Sequence, residues 1–306
     1  MCQQPAPAPL SARNSAGRRM ARLRWCSSAV VRPHPLKAER RYELPPDCGG
    51  EDAYFTNDAR GALGVADGVG GWAERGVDPG IYSRELMHFA AEAVEKSETD
   101  PLAILVHAHA SATAVGSSTA LVAMLGGDSV VRIRNVGDSG FVLVRRGSVL
   151  VHSPPQQHAF NFPFQLGGPG SGGDDPREAQ VFELEDLHEE DVLVVGTDGL
   201  FDNLFLERIA AAVERELALA RRDGAADMQA VARRAAERVA REASACANDR
   251  LNKSPFSEEA LRNGYYFEGG KLDDITVVVA ILVAAEDAQT DGSTLTPSTS
   301  LPRSRL

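Results

Sequence analysis

Acidic residues beside glycine recur in this chain at the ends of short apolar runs. The clearest case is Asp191–Asn203, DVLVVGTDGLFDN, where Val192–Val195 are apolar and Asp198 and Asp202 follow around Gly199. A short apolar run bounded by turn residues reads as a buried strand. Carboxylate oxygens on the turn beyond it are the ligands that hard cations prefer. Taken alone, the stretch is better read as a turn whose aspartates cap a helix starting near Leu204. Its recurrence shifts the reading. Gly49–Gly50 precede Glu51–Asp52, the run Ala62–Ala66 ends at Asp67–Gly68, Asp138 sits in Gly137–Gly140, and Asp273–Asp274 precede Ile275–Val283. Together these turns suggest one acidic pocket, in which neighbouring carboxylates would raise each other's pKa unless cations relieved them. All-oxygen ligation favours Mg²⁺ or Mn²⁺ over zinc. Two such ions about 3.5–4 Å apart can activate a shared water and stabilise a phosphoryl group. The chain has no Walker loop, no G-x-S-x-G and no cysteine leading an arginine loop, so no rival nucleophile stands out.

The elements that must position these turns are mixed. Residues 81–96 carry apolar side chains at helical spacing, and Pro101 suits the first turn of a second helix through about Val115. His88, His107 and His109 fall in these helices and read as surface or core residues. A strand to Leu125, the turn Gly126–Asp128 and a return strand Ser129–Val136 form a hairpin, and Phe141–Val144 with Val149–His152 form another. Turns this short require antiparallel pairing, which excludes a Rossmann-like sheet for this half. Residues 153–178 read as an unusually long irregular loop. A strand at Val181–Leu184, helices over 204–221 and 227–246, an irregular stretch 248–270 and the strand Ile275–Val283 complete the chain.

The 306 residues suffice for one large domain or two small ones, and a net charge of -11 argues against a general nucleic-acid binder. Residues 1–38 hold six Arg and one Lys with no acid, so the remainder carries 43 acidic against 25 basic residues, or -18. This composition suits an organelle transit peptide, mitochondrial or plastid, with a basic disordered tail as the alternative. No apolar run is long enough to span a membrane. Cys2, Cys26, Cys48 and Cys246 show no paired spacing, so reduced thiols are expected. The Ser/Thr/Pro-rich last 20 residues read as disordered.

The motifs E-D, D-G-V-G-G, G-S-S-T-A, N-V-G-D-S, T-D-G-L-F-D and D-D-I-T, in that order from Gly49 to Val283, resemble the PPM, or type 2C, metal-dependent Ser/Thr protein phosphatases. The segment QQHAFNFPFQLG at Gln156–Gly167 resembles the branch with mitochondrial members. The resemblance implies an α+β fold, a four-layer α-β-β-α sandwich of two antiparallel sheets flanked by helices. Residues 46–285 would form this domain, residues 1–45 a transit peptide or basic tail, and residues 286–306 a disordered tail. The resemblance also implies two, or three, Mg²⁺ or Mn²⁺ ions. Asp67 would bridge two of them, with the Gly68 carbonyl binding one and Asp198 and Asp273 the other. Glu51 and Asp52 would hold metal-bound waters, Asp138 and Asp202 a third metal, and Asp274 would support the site.

Two positions depart from the family. The region before Glu51 lacks the phosphate-holding arginine, since Arg40 and Arg41 lie too far upstream, and Val69 stands where many members have histidine. His158 is a candidate general acid, although a hydrogen-bonded loop histidine is the better reading. The expected activity is hydrolysis of phosphoserine and phosphothreonine in proteins. The rivals are a pseudophosphatase that binds a phosphoprotein without turnover and a phosphatase of a small metabolite. The expected form is a mitochondrial monomer (plastid or cytoplasm as alternatives) that meets phosphoprotein substrates, without nucleic acid and without a transmembrane segment.

Overall fold

The computed structural model describes residues 22–35 and 50–285. Among these residues ten strands build two large sheets: β1 (Leu23–Arg32), β2 (Asp52–Asn57), β3 (Ala62–Asp67), β4 (Ala120–Leu125), β5 (Val131–Val136), β6 (Gly140–Arg145), β7 (Ser148–His152), β8 (Gln180–Leu184), β9 (Val192–Gly196) and β10 (Ile275–Ala284). One sheet has the order β1-β10-β9-β6-β7 and the other β8-β5-β4-β3-β2. Every pairing within them is antiparallel.

The apolar runs are continuous because both faces of the inner strands are covered. In β9 and β10, Leu193, Val195, Val278, Ala280 and Leu282 point into the core between the sheets. The alternate residues Val192, Val194, Val277, Val279 and Ile281 lie under helices on the outer face. The period of two in a strand divides one run between two cores in this way. Leu63, Val65, Leu121 and Ala123 supply the other half of the central core.

The helices close the outer faces. Helices α1 (Pro79–Glu95) and α2 (Pro101–Ser111) start on proline, and their N-caps Asp78 and Asp100 accept from the Gly80 and Leu102 amides. Tyr82, Leu86, Ile104 and Leu105 pack them against Ala120, Val122 and Met124 of β4. A four-residue helix α3 (Asp198–Phe201) follows β9, and α4 (Leu206–Asp223) and α5 (Met228–Ala247) cover the other sheet. On α5 the buried face is largely alanine, including Ala232, Ala235, Ala236, Ala240 and Ala243. The four-layer α-β-β-α architecture is therefore observed.

Three expectations are corrected. Residues 23–32 are not tail. β1 pairs with β10 along its whole length, from Leu23↔Ala284 to Arg32↔Ile275. Trp25 is 1% exposed and joins the central core, so the folded unit begins before residue 46. The acid-free, Arg- and Ser-rich composition masked a strand whose partner lies some 250 residues away in sequence. Residues 248–270 contain α6 (Pro255–Arg262), which Ser254 and Ser257 start with a reciprocal capping box. Its eight residues are too few for periodicity to declare it. The 153–178 loop is pinned by short ladders, Gln157–Ala159 with Phe162–Pro163 and Leu166–Gly167 with Ser117–Ser118. The expected transit segment before residue 22, Arg40, Arg41, Cys2, Cys48 and the 286–306 tail lie outside the described residues. Cys26 and Cys246 are buried free thiols. No helix among the described residues is long and apolar enough to cross a membrane.

Candidate active site and metal centre

Strand ends bring the acidic turns together. β2 begins at Asp52 and β3 ends at Asp67, and the two residues are cross-strand partners. β9 runs antiparallel to β10 with Gly196 opposite Val277, so the turn carrying Asp198 meets the entry carrying Asp273. Asp138 lies on the turn between β5 and β6. Thr197 links the sheets across this end. Its Oγ1 donates to Asp52 Oδ2 at 2.8 Å and accepts from the Thr276 amide at 3.1 Å. Asp67 is fixed through its backbone, where its amide donates to Thr119 Oγ1 and its carbonyl accepts from Ser118 Oγ and the Thr119 amide. The Asp138 carboxylate accepts from Gln157 Nε2 at 3.0 Å.

Asp274 braces the turn before β2. Its carboxylate accepts from the Glu51 amide at 2.9 Å and from the His34 amide at 2.6 Å. Gly50 sits against it with φ +81°, and a Cβ there would overlap the Asp274 carboxylate, so glycine suits both backbone angle and space. Gly68 follows Asp67, and its amide donates to the Glu51 carbonyl at 3.1 Å. The Glu51 carboxylate lies beside Gly70.

The centre holds a cation that the sequence reading missed. Lys271 Nζ lies 2.5 Å from Asp198 Oδ2, 2.7 Å from Asp202 Oδ2 and 3.1 Å from Asp273 Oδ2. Asn203 clamps the Lys271 backbone, donating to its carbonyl at 2.8 Å and accepting from its amide at 3.0 Å. The available signal was a lone lysine two residues before the Asp273–Asp274 pair. The capping reading of the two aspartates is removed, because α3 and α4 take Thr197 and Phe205 as N-caps and neither side chain caps.

The electrostatics are those of crowded acids around one ammonium. Burial, then Asp52, Asp198 and Asp273, push Asp67 well above the ordinary carboxyl value. Burial and Asp274 do the same to Asp52. Burial with Asp198 raises Asp138 to about 6 and Asp273 to about 7. Burial, with Asp198 and Asp138, takes Asp202 to about 8 despite Lys271. Among these carboxyls Asp198 is held below the ordinary range, because the Lys271 ammonium beside it outweighs its burial. Burial disfavours the Lys271 charge, yet Asp198, Asp202 and Asp273 hold it firmly protonated.

Whether these residues suit a divalent ion is decided by their donors. Among the described residues, no three His, Cys, Asp or Glu side chains close on a point as a finished metal-binding set. The Lys271 ammonium stands between three of the carboxylates instead, as a stand-in cation. Two buried carboxylate oxygens, Asp52 Oδ1 and Asp198 Oδ1, have no hydrogen-bond partner. An all-oxygen donor set with orphaned buried oxygens fits a hard cation such as Mg²⁺ or Mn²⁺.

The remaining candidate lies apart from the cluster's hydrogen bonds. His158 Nε2 pairs with Asp174 Oδ1 at 2.9 Å, and its ring stacks on Phe164 at 3.8 Å. It lines a separate cleft with Val69, Trp72 and Ser117.

A two-sheet sandwich with acidic strand ends is the architecture of PPM-type phosphatases, and known proteins agree. No protein-family model matches the chain. It is 42% identical over 267 residues to a probable protein phosphatase 2C 80 of Arabidopsis thaliana, covering 86% of this chain and 60% of that protein. It is 37% identical over 282 residues to the protein phosphatase PTC7 homolog fig of Drosophila pseudoobscura pseudoobscura, covering 84% and 81%. The solved structure of the photosystem II phosphatase PBCP superposes with a TM-score of 0.73 at 35% identity, covering 85% of this chain and 100% of that one. The chain belongs to the protein phosphatase 2C family. It spans 60%, 53% and 42% of the length of three of its curated relatives.

Proposed function

We propose that the chain is a Mg²⁺- or Mn²⁺-dependent phosphatase that hydrolyses phosphoserine and phosphothreonine in proteins. The observation that carries this is the gathering of Asp52, Asp67, Asp138, Asp198, Asp202 and Asp273 at one end of the sandwich, with buried oxygens left unpaired. Asp67, the Gly68 carbonyl, Asp198 and Asp273 would hold the ions, with Glu51 and Asp52 beside them. Asp138 and Asp202 border the same centre. Divalent ions bound there supply the positive charge that polarises a phosphoryl group and acidifies an attacking water. The chain's own part is to fix the ligands. Thr197 orients Asp52, the Thr119–Ser118 pair fixes the Asp67 backbone, and Asp274 ties the Glu51 turn to the entry of β10.

The test is hydrolysis of a phosphothreonine peptide with and without Mn²⁺. Asp198→Asn is expected to lower kcat by about 100-fold or more, an effect of the size seen on removing one electrostatic group from a preorganised site. Near-normal turnover of that variant would sink the ligand role. A folded wild type that binds Mn²⁺ but turns over no phosphopeptide would point to the pseudophosphatase.

The organelle reading also belongs here. The acid-free N-terminus favours import into a mitochondrion, with the plastid as the alternative. Any cleaved leader must end before Leu23 if β1 is to survive. A fluorescent fusion to residues 1–45 separates these, and diffuse cytoplasmic signal would refute both.

A further inference from the structure

A cleft of about 490 Å³ opens beside the carboxylate cluster, between the loop around Ser153–Asn161, the Phe201–Glu207 turn and α6. This is within the roughly 300–1,000 Å³ of ligand-sized pockets. Asp138 and Asp202 line it, so cleft and cluster share two side chains. Its walls are apolar, with Phe160, Phe201, Phe205, Leu206 and Phe256 contributing. Phe160 is held by ring contacts to Phe256 at 5.2 Å and Tyr265 at 5.3 Å. Around these rings acidic side chains outnumber basic ones, although the Lys271 ammonium lies 5.1 Å from the Phe256 ring centroid and pairs with Asp202 at 2.7 Å. Glu207, Glu258 and Glu259 join Asp138 and Asp202, against the single guanidinium of Arg262. Arg262 pairs with Glu258 at 3.1 Å and Glu259 at 2.9 Å, and Lys253 pairs with Glu258 at 2.7 Å, so Glu207, exposed at the start of α4, and Asp138 carry most of the negative charge that faces a ligand.

We infer that this cleft seats the stretch of a phosphoprotein substrate flanking its phosphorylated residue, and that it selects a bulky apolar side chain accompanied by Lys or Arg. The inference rests on the phosphatase reading for where the phosphate lies. The aromatic walls desolvate an apolar side chain. The acidic rim attracts a basic neighbour and repels an acidic one, which sets preference and encounter rate. Because the cleft shares Asp138 and Asp202 with the cluster and an extended peptide advances about 3.3 Å per residue, the selected side chains are expected within about three residues of the phosphorylated one.

The test compares two non-hydrolysable phosphonate peptides by fluorescence anisotropy on the full chain. One carries Phe and Arg within three residues of the phosphonate, and the other carries Gly and Asp there. The first is expected to bind about tenfold more tightly. Phe160→Ala should reduce that ratio to below about threefold, and the double variant Glu207→Lys/Glu259→Lys should remove the preference for Arg. Phe160 lies on a loop, and Glu207 and Glu259 are exposed on α4 and α6, so circular dichroism should match the wild type. Equal affinity of the wild type for both peptides overturns the inference. So does a preference that neither variant alters. If removing residues 286–306 tightens both peptides equally, the cleft belongs to the chain's own C-terminal segment and the inference also fails. Mn²⁺-dependent hydrolysis of p-nitrophenyl phosphate by the wild type tests the phosphatase reading separately, because that compound has no flanking residues.

Discussion

Lys271 changes the picture most at the level of single residues. It lies 73 residues from Asp198 and 69 from Asp202 in sequence, yet its ammonium binds both. Its side chain is 17% exposed and those of Asp198, Asp202 and Asp273 are 14%, 24% and 27% exposed. A charge group this enclosed is costly to break from one side, because the partners are left uncompensated. Lys271→Met should destabilise the metal-free protein by about 3 kcal/mol, while Lys271→Arg should cost much less. Mn²⁺ should restore most of the lost stability, since it replaces the missing positive charge. Thermal melts of the three proteins with EDTA and with Mn²⁺ check this, and an equal loss in both variants would refute a charge role. The acid motifs were legible because each is local: an aspartate beside a glycine at a strand end. Lys271, Asn203 and Thr197 were not, because their partners are brought near only by the fold.

Among the elements, β1 decides how the chain closes. β10 is ten residues long, and without β1 its outer side would be an unpaired edge. β1 covers that edge and adds Leu23 and Trp25 to the central core. Its middle is anchored by the Ser27 amide and hydroxyl on the Asp58 carboxylate, the amide contact at 2.9 Å. Trp25→Ala should cost about 3–5 kcal/mol, as large-to-small changes at buried aromatics do. Deleting residues 1–32 should abolish cooperative unfolding. Chemical denaturation measures the first, and a two-state melt of the deletion would overturn the second. Helix α6 shows the same difficulty at shorter range. Its capping box was present in the sequence, but without a long apolar period the segment around it read as irregular.

For the whole molecule, the cluster couples stability to pH and to metal. Asp138, Asp273 and Asp202 are raised to about 6, 7 and 8 in the folded protein, chiefly by burial. The unfolded chain releases these protons near pH 4, the ordinary aspartate range. Between those limits the folded state therefore binds more protons, and its stability falls as pH rises. The metal-free protein should lose Tm steadily from pH 5 to pH 8. Divalent ions need the deprotonated carboxylates, so the gain in Tm on adding Mn²⁺ should be larger at pH 8 than at pH 6. Melts with EDTA and with Mn²⁺ across this range decide it, and a metal-free Tm that rises with pH would contradict it. The charge asymmetry has a role at this scale too. The acidic body, -18 beyond residue 38 by composition, agrees in sign with the rim of the cleft beside the site.

Local residue pattern was enough for the antiparallel hairpins, the buried apolar strands and the set of acidic turns. Each of these is written in neighbouring residues through strand period, turn length and the pairing of aspartate with glycine. The family resemblance added the order of the motifs and, with it, the sandwich. Tertiary structure alone decided three things: the β1–β10 pairing across the length of the chain, the lysine among the aspartates, and the aromatic cleft assembled from a loop, a turn and α6. All three depend on contacts between distant segments. Such contacts follow from which surfaces must be buried together, and no local pattern of residue types records that.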